Sequence, residues 1–220
     1  MTPPVALLDL DGTLIDTRPG IVACMRRTLA DLGHGLDPGE DLNWMIGPPM
    51  EQTIATLLAR WDDSRAAEAV TIYRRHYAET GLYDATVYPG IAAALAEFAA
   101  QGWTLFVATA KRTRYARPLL EHFGLAGYFH TIYGSEDGPL LDTKPVMLAH
   151  ILAEQRFAPA RAVMIGDRHY DIDGARANAL RAIGVAWGYG EADELALADA
   201  IAQSPEDLPA LGKRLLGLAA

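Results

Sequence analysis

Cysteine is almost missing from this 220-residue chain. Cys24 stands alone, so no disulfide can close within the chain, which fits a reducing compartment. Long hydrophobic runs are missing too, and none approaches the roughly 20 residues that span a bilayer. The first residues, Met1-Thr2-Pro3-Pro4, lack the basic segment and apolar run of a secretory signal. Positive charge is scarce: 19 Lys and Arg stand against 28 Asp and Glu, a formal net charge of −9. A chain this acidic repels phosphate backbones, which argues against a nucleic-acid partner. The six histidines show no metal-ligand spacing, and there is no internal repeat or low-complexity segment. What is present is apolar content of 50%, ample for a buried core. The expectation is a cytoplasmic globular protein without a membrane partner, a monomer or a homodimer. At roughly 150 residues per domain, it is one large domain or one domain carrying an insertion.

Val5-Ala-Leu-Leu-Asp9 is a short apolar run ending in an acid. Such runs mark strands buried on both faces of a parallel sheet. Thr104–Ala108, Thr131–Tyr133, Ala162–Ile165 and Ala182–Val185 have the same character. Helical spacing separates most of them: Ile91, Leu95, Phe98; then Tyr115, Leu119, Leu120, Phe123; then Met147, Leu148, Ile151, Leu152. The first two stripes stop at Gly102 and Gly124, where glycine takes positive φ without strain. The alternation predicts an α/β fold with a doubly wound parallel, Rossmann-like sheet. Residues 16–86 break it. They hold three helical stripes and no convincing strand, with a turn-rich piece from Gly33 to Pro49. The expected organisation is a core of residues 1–15 and 87–220, with an inserted helical module over 16–86. The Ala-rich tail reads as helix.

Ligands of open α/β sheets bind at the carboxyl ends of the strands. The first strand is followed by Asp9-Leu-Asp11-Gly12-Thr13, and the second by Thr109-Ala110-Lys111. Asp142-Thr-Lys144-Pro145 opens the third helix, and Gly166-Asp167-x-x-x-Asp171 follows the fourth strand. In extended backbone, residues two apart point the same way, so Asp9 and Asp11 repel each other unless a cation intervenes. Several carboxylates with no clustered His or Cys favour Mg²⁺ over zinc. A magnesium ion with open positions recruits a phosphate, and Thr13, Thr109 and Lys144 are placed to hold its oxygens. One carboxylate then serves as nucleophile toward phosphorus, and the other as general acid and base.

At these residues the chain resembles the haloacid dehalogenase superfamily. Asp-Leu-Asp-Gly-Thr-Leu-Ile-Asp at 9–16 looks like the first motif, Thr109 the second, Lys144 the third, and Gly166-Asp167-x-x-x-Asp171 the fourth. The insert resembles the helical cap of the phosphoglycolate phosphatase-like branch, as do Ile46-Gly47-Pro48-Pro49 and Val87-Tyr88-Pro89-Gly90. Ala108–Lys111, Tyr133-Gly-Ser-Glu136 and Gly188-Tyr-Gly190 look most like a 5′-nucleotidase-like subgroup. The resemblance implies a Mg²⁺-dependent phosphatase acting on a small phosphorylated metabolite, phosphoglycolate or a nucleoside 5′-monophosphate. Asp9 would be the nucleophile, Asp11 the general acid and base, and Thr109 and Lys144 their catalytic partners. Metal contacts would come from Asp9, Asp167, the backbone carbonyl of Asp11, and Asp171 directly or through water. Gly12, Thr13, Ala110, Lys111 and the cap's Gly47 are the candidate substrate contacts.

Other readings stay open. A phosphomutase uses the same aspartates, and a non-catalytic binding or regulatory protein would keep the fold. Asp11 argues against dehalogenation, since the dehalogenases of the superfamily lack a second aspartate. Phosphonate cleavage would need a cap lysine, and residues 16–86 contain none. Arg168 and His169 lie inside the fourth motif and are candidates for the border of the site. The four tryptophans read as packing, with Trp44 the one candidate for substrate stacking.

Overall fold

A computed structural model describes residues 3–135 and 141–218. The chain runs β1 (Val5–Leu8), β2 (Ile15–Asp16), α1 (Arg18–Asp31), α2 (Met50–Leu58), α3 (Ala66–His76), β3 (Thr86–Val87) and α4 (Ile91–Ala100). It continues through β4 (Thr104–Arg112), α5 (Thr113–His122), β5 (Thr131–Ser135), α6 (Lys144–Gln155), β6 (Ala162–Gly166), α7 (His169–Ala177), β7 (Arg181–Val185), β8 (Ala200–Ala202) and α8 (Leu208–Leu215). Six strands form one sheet in the order β5-β4-β1-β6-β7-β8, and every neighbouring pair is parallel. The doubly wound α/β architecture read from the sequence is therefore the one adopted.

All four residues of β1 and all five of β6 are buried, as a central parallel strand covered on both faces requires. One layer of the core joins Leu7, Phe106 and Met164 of the sheet to Met147, Leu148 and Ile151 of α6 and Ile172 of α7. Burial of this kind is worth roughly 1.5–3 kcal/mol for each large aliphatic or aromatic side chain.

The chain divides into two compact units, Met1–Ile15 with Val87–Ala220, and Asp16–Thr86. In the second unit, α1 packs on α3 and α2 on α3. A π-helical turn, Tyr77–Gly81, extends α3. Gly20 of α1 meets Gly81 so closely that a Cβ on Gly20 would stand 2.0 Å from the Gly81 carbonyl oxygen. Cys24 is buried beside this contact as a small apolar residue, and burial pushes its thiol above the usual range.

Several boundaries differ from the sequence reading. The second strand of the sheet does not end before Thr109. β4 runs on to Arg112, with a register shift between Thr109 and Arg112 that places Ala110 and Lys111 in an irregular strand end. Gly134 of β5 makes room for it, since a Cβ there would lie 2.4 Å from the Lys111 carbonyl oxygen. The Ala-rich tail is not simply helical: Ala200–Ala202 is the edge strand β8, and turns precede it. Two-residue strands β2 and β3 pair with each other at the ends of the 16–86 stretch, where alternation too short to register in the sequence gave no signal. Glu136, part of one sequence resemblance, lies outside the described residues. No helix among the described residues is long and apolar enough to cross a membrane.

Candidate active site

The topology brings together residues far apart in the chain. β1 lies between β4 and β6, so Asp9, just past β1, faces the residues ending both neighbours. Asp9 keeps the sheet pairing, its N–H donating to the Ile165 carbonyl at 2.9 Å. Asp167 follows β6, and Asp171 lies in the first turn of α7. One oxygen from each of Asp9, Asp167 and Asp171 lies within 4.8 Å of the others, and all three residues are buried. This is the crevice where strand order reverses about β1, the usual ligand edge of such sheets.

Lys144 opens α6 and sends its ammonium into the same cluster. Its Nζ lies 2.9 Å from Asp9 Oδ1 and 2.6 Å from Asp171 Oδ1, and it donates to the Ala108 carbonyl at 2.6 Å. Burial opposes its charge, but Asp171 and Asp9 outweigh burial and hold the ammonium protonated beyond the usual lysine range. The carboxylates respond differently. Burial raises the Asp9 carboxyl most; Lys144 pulls it back, and Asp171 and Asp11 add repulsion, leaving it at about 6. Lys144 has two carboxylate partners, whereas Asp9 has one cation and several acids, so the pair shifts asymmetrically. Asp167 is pushed well above the carboxylate range by burial, then by Asp9 and Asp171.

Asp167 is held at both oxygens. Thr13 Oγ1 donates to Oδ1 at 3.1 Å, and the Tyr189 N–H to Oδ2 at 2.9 Å. Gly12, at φ +81°, leaves space for it: a Cβ there would lie 2.3 Å from Asp167 Oδ2. On the other wall, a Cβ on Gly188 would lie 2.2 Å from Asp167 Cβ. Asp171 Oδ2 accepts the N–H of Arg168 at 3.2 Å, so Asp171 also closes the first turn of α7.

Asp11 stands apart from the three-carboxylate cluster. Its side chain faces Lys111, whose Nζ lies 3.0 Å from Oδ1. Thr109 is buried in β4, and its hydroxyl oxygen accepts the Lys111 N–H at 3.1 Å. Thr109 does not cap the helix that follows, because Arg112 occupies the N-cap of α5. The Ala110 carbonyl accepts from Ser135 Oγ at 2.8 Å. Gly47 lies in the second unit, in the loop before α2, at φ +111°.

The donor set fits a divalent cation. It is three buried carboxylates with no imidazole or thiolate, the composition that hard cations take. Oδ1 of Asp9 and Oδ1 of Asp171 are buried, and both lie against the Lys144 ammonium. Two of the three carboxyls are raised by burial and mutual repulsion, a strain that a cation between them removes.

Sequence reasoning missed the segment that closes the far side. Trp187, read as packing, donates through Nε1 to the Thr13 carbonyl at 3.0 Å. Tyr189 contributes its backbone N–H, and Glu194 receives Arg168 and His169. Gly188-Tyr-Gly190 was the one available signal, and it carried no role.

The profile of the haloacid dehalogenase-like hydrolases matches residues 6–185, and the chain belongs to that family. It is 38% identical over 192 residues to the tyrosine-protein kinase PtkA of Mycobacterium tuberculosis, covering 87% of this chain and 65% of that protein. The chain thus spans a little under two thirds of that relative's length. It is 40% identical over 192 residues to a 5′-nucleotidase of Pseudomonas aeruginosa, covering 87% of this chain and 86% of the relative. Among solved structures it resembles the haloacid dehalogenase-like hydrolase SP0104 of Streptococcus pneumoniae. That match has a TM-score of 0.88 and 31% identity, covering 95% of this chain and 98% of the other.

Proposed function

We propose that the chain is a Mg²⁺-dependent phosphomonoesterase acting on a small metabolite through an aspartyl-phosphate. The observation carrying this reading is the convergence of Asp9, Asp167 and Asp171 at the sheet's carboxyl edge, with the Lys144 ammonium paired to Asp9 and Asp171. Asp9, Asp167 and Asp171, with the backbone carbonyl of Asp11, would hold the ion. When bound, it offsets the repulsion between an anionic nucleophile and an anionic phosphate.

Asp9 attacks phosphorus; an Asp9–phosphorus bond forms as the ester P–O bond breaks. Asp11 gives its proton to the departing alkoxide. Asp11 then takes a proton from water, whose oxygen attacks phosphorus and releases Asp9 and inorganic phosphate. Lys144 and the Thr109 hydroxyl steady charge on the phosphoryl oxygens. Thr13 and the Tyr189 N–H keep Asp167 in place. Gly12, Ala110 and Lys111 bound the phosphate pocket, and residues 16–86, with Gly47, serve as a cap that excludes water and selects the leaving group.

The likeness to a 5′-nucleotidase at 40% identity supports a nucleoside 5′-monophosphate as leading substrate, with phosphoglycolate second. The test is phosphate release across a metabolite panel, with Mg²⁺ and with chelator, beside Asp9→Asn. Magnesium-dependent release that disappears in D9N supports the reading, and no release from any compound overturns it. Because PtkA is named a kinase, the same panel carries ATP with a tyrosine peptide, and phosphotyrosine formation there would replace hydrolysis with transfer.

A further inference from the structure

We infer that Glu194 is a positioning residue for the metal site, acting through Arg168 and His169 on the loop that carries Asp167 and Asp171. The inference rests on the proposal above that those carboxylates hold a metal.

Glu194 is the meeting point of three donors. Its Oε2 accepts from Arg168 Nε at 2.9 Å and from the His169 N–H at 3.3 Å, and lies 2.6 Å from His169 Nδ1. Arg168 and His169 are two of the three residues between Asp167 and Asp171 in one short turn. The Arg168 side chain is buried against Glu194 while its backbone N–H donates to Asp171 Oδ2. A chain of contacts therefore runs from Glu194 to Asp171. A second runs from the same segment to Asp167, through the Tyr189 N–H. Gly190 brings the backbones into direct contact, since a Cβ there would lie 1.9 Å from the Asp167 carbonyl oxygen. Residues 187–194 thus brace both acids of the turn from one side.

The Glu194 carboxyl is suited to a permanent anchor. Burial alone would raise it, but the hydrogen bonds from Arg168 and His169, with the Arg168 charge, hold it at about 2. It is therefore ionised near neutral pH. Partners behind metal ligands fix ligand orientation, and their removal typically weakens metal binding about 10- to 100-fold. An ion pair that merely supports the start of α7 would instead lower stability and leave the affinity alone.

The experiment measures metal binding without substrate, using Mn²⁺ by electron paramagnetic resonance and Mg²⁺ by calorimetry. Glu194→Ala and the near-isosteric Glu194→Gln stand beside Asp199→Asn, which cuts the Arg181–Asp199 pair at 2.7 Å elsewhere in the same unit. Melting in chelator monitors the fold. E194A is expected to weaken binding about tenfold or more, E194Q by less, and D199N not at all. If E194A does not fold, E194Q decides. Affinities of both variants within about twofold of the parent would overturn the inference, as would an equal loss in D199N. A parent protein that binds neither ion defeats the metal-site reading itself, and the role of Glu194 falls with it. Normal parent binding with unaffected variants defeats the role of Glu194 alone.

Discussion

Asp9→Asn should stabilise the metal-free protein while abolishing its turnover. The Asp9 carboxyl is raised from 3.8 in the unfolded chain to about 6 in the folded one, chiefly by burial. At 1.36 kcal/mol per unit, keeping it ionised near pH 7 costs the fold about 3 kcal/mol. The sign follows from proton counts. Between about pH 4 and 6 the folded state holds the proton more tightly, so the cost is complete above about 6 and fades as pH falls towards 4. Asparagine fills the same space without the charge, but it deprives Lys144 of one of two carboxylate partners. The net gain near pH 7 is therefore about 1–3 kcal/mol, or roughly 2–12 °C in Tm for a chain of this size. The assay is differential scanning calorimetry of both proteins in chelator from pH 5 to 8. Subtracting one curve from the other removes the titration of the histidines. The gap should narrow by roughly 1.5 kcal/mol between pH 7 and pH 5. A gap that is flat with pH, or a D9N protein less stable near pH 7, would refute the reasoning. Added Mg²⁺ should then stabilise the parent more than D9N.

Gly188→Ala drives a Cβ to within 2.2 Å of Asp167 Cβ and 2.6 Å of the Gly12 carbonyl oxygen, and is expected to cost about 2–4 kcal/mol by denaturant titration. Trp187→Phe removes the N–H that reaches Thr13, and should cost about 1 kcal/mol in the same titration with only a small change in kcat. Lys144→Met leaves Asp9 and Asp171 facing each other without their shared cation; phosphate release should fall about a thousandfold, beyond rescue by more Mg²⁺. Chelation should abolish phosphate release by the parent, and readdition of Mg²⁺ should restore it.

The central strands and their acids were legible because each signal is local. Val5–Asp9 and Ala162–Asp167 write a buried parallel strand and its terminal carboxylate into one short run. The 104–112 strand misled, because only its pairing with β5 through Gly134 carries it past Thr109 to Arg112. β8 was illegible because Ala200-Ile-Ala202 has no side-chain signature apart from the neighbour it pairs with. The site divides in the same way. Asp9, Lys144, Asp167 and Asp171 stand in recognisable surroundings, whereas Glu194 gains its partners only when the turn after β7 folds back on the turn after β6. A lone glutamate in an exposed-looking stretch gives no hint of that contact. Lys111 lay between: its position was evident, but its pairing with Asp11 depends on the irregular end of β4.

The position of β1 at the middle of the sheet also governs when the protein can come into being. Val5 pairs with Thr104 on one side and Ala162 on the other, so the first strand made must wait for most of the chain. Closing such distant pairs is slow, and an apolar strand waiting for partners is exposed to misassembly. The helical segment of residues 16–86 has its own local contacts, and it leaves the ribosome while β1 is still unpaired. Asp9 cannot meet Asp167 until β6 docks beside β1, so the carboxylate cluster depends on that distant pairing. If the cluster holds the proposed ion, it can do so only once β6 stands beside β1, and the ion's binding energy would favour chains that have made that pairing.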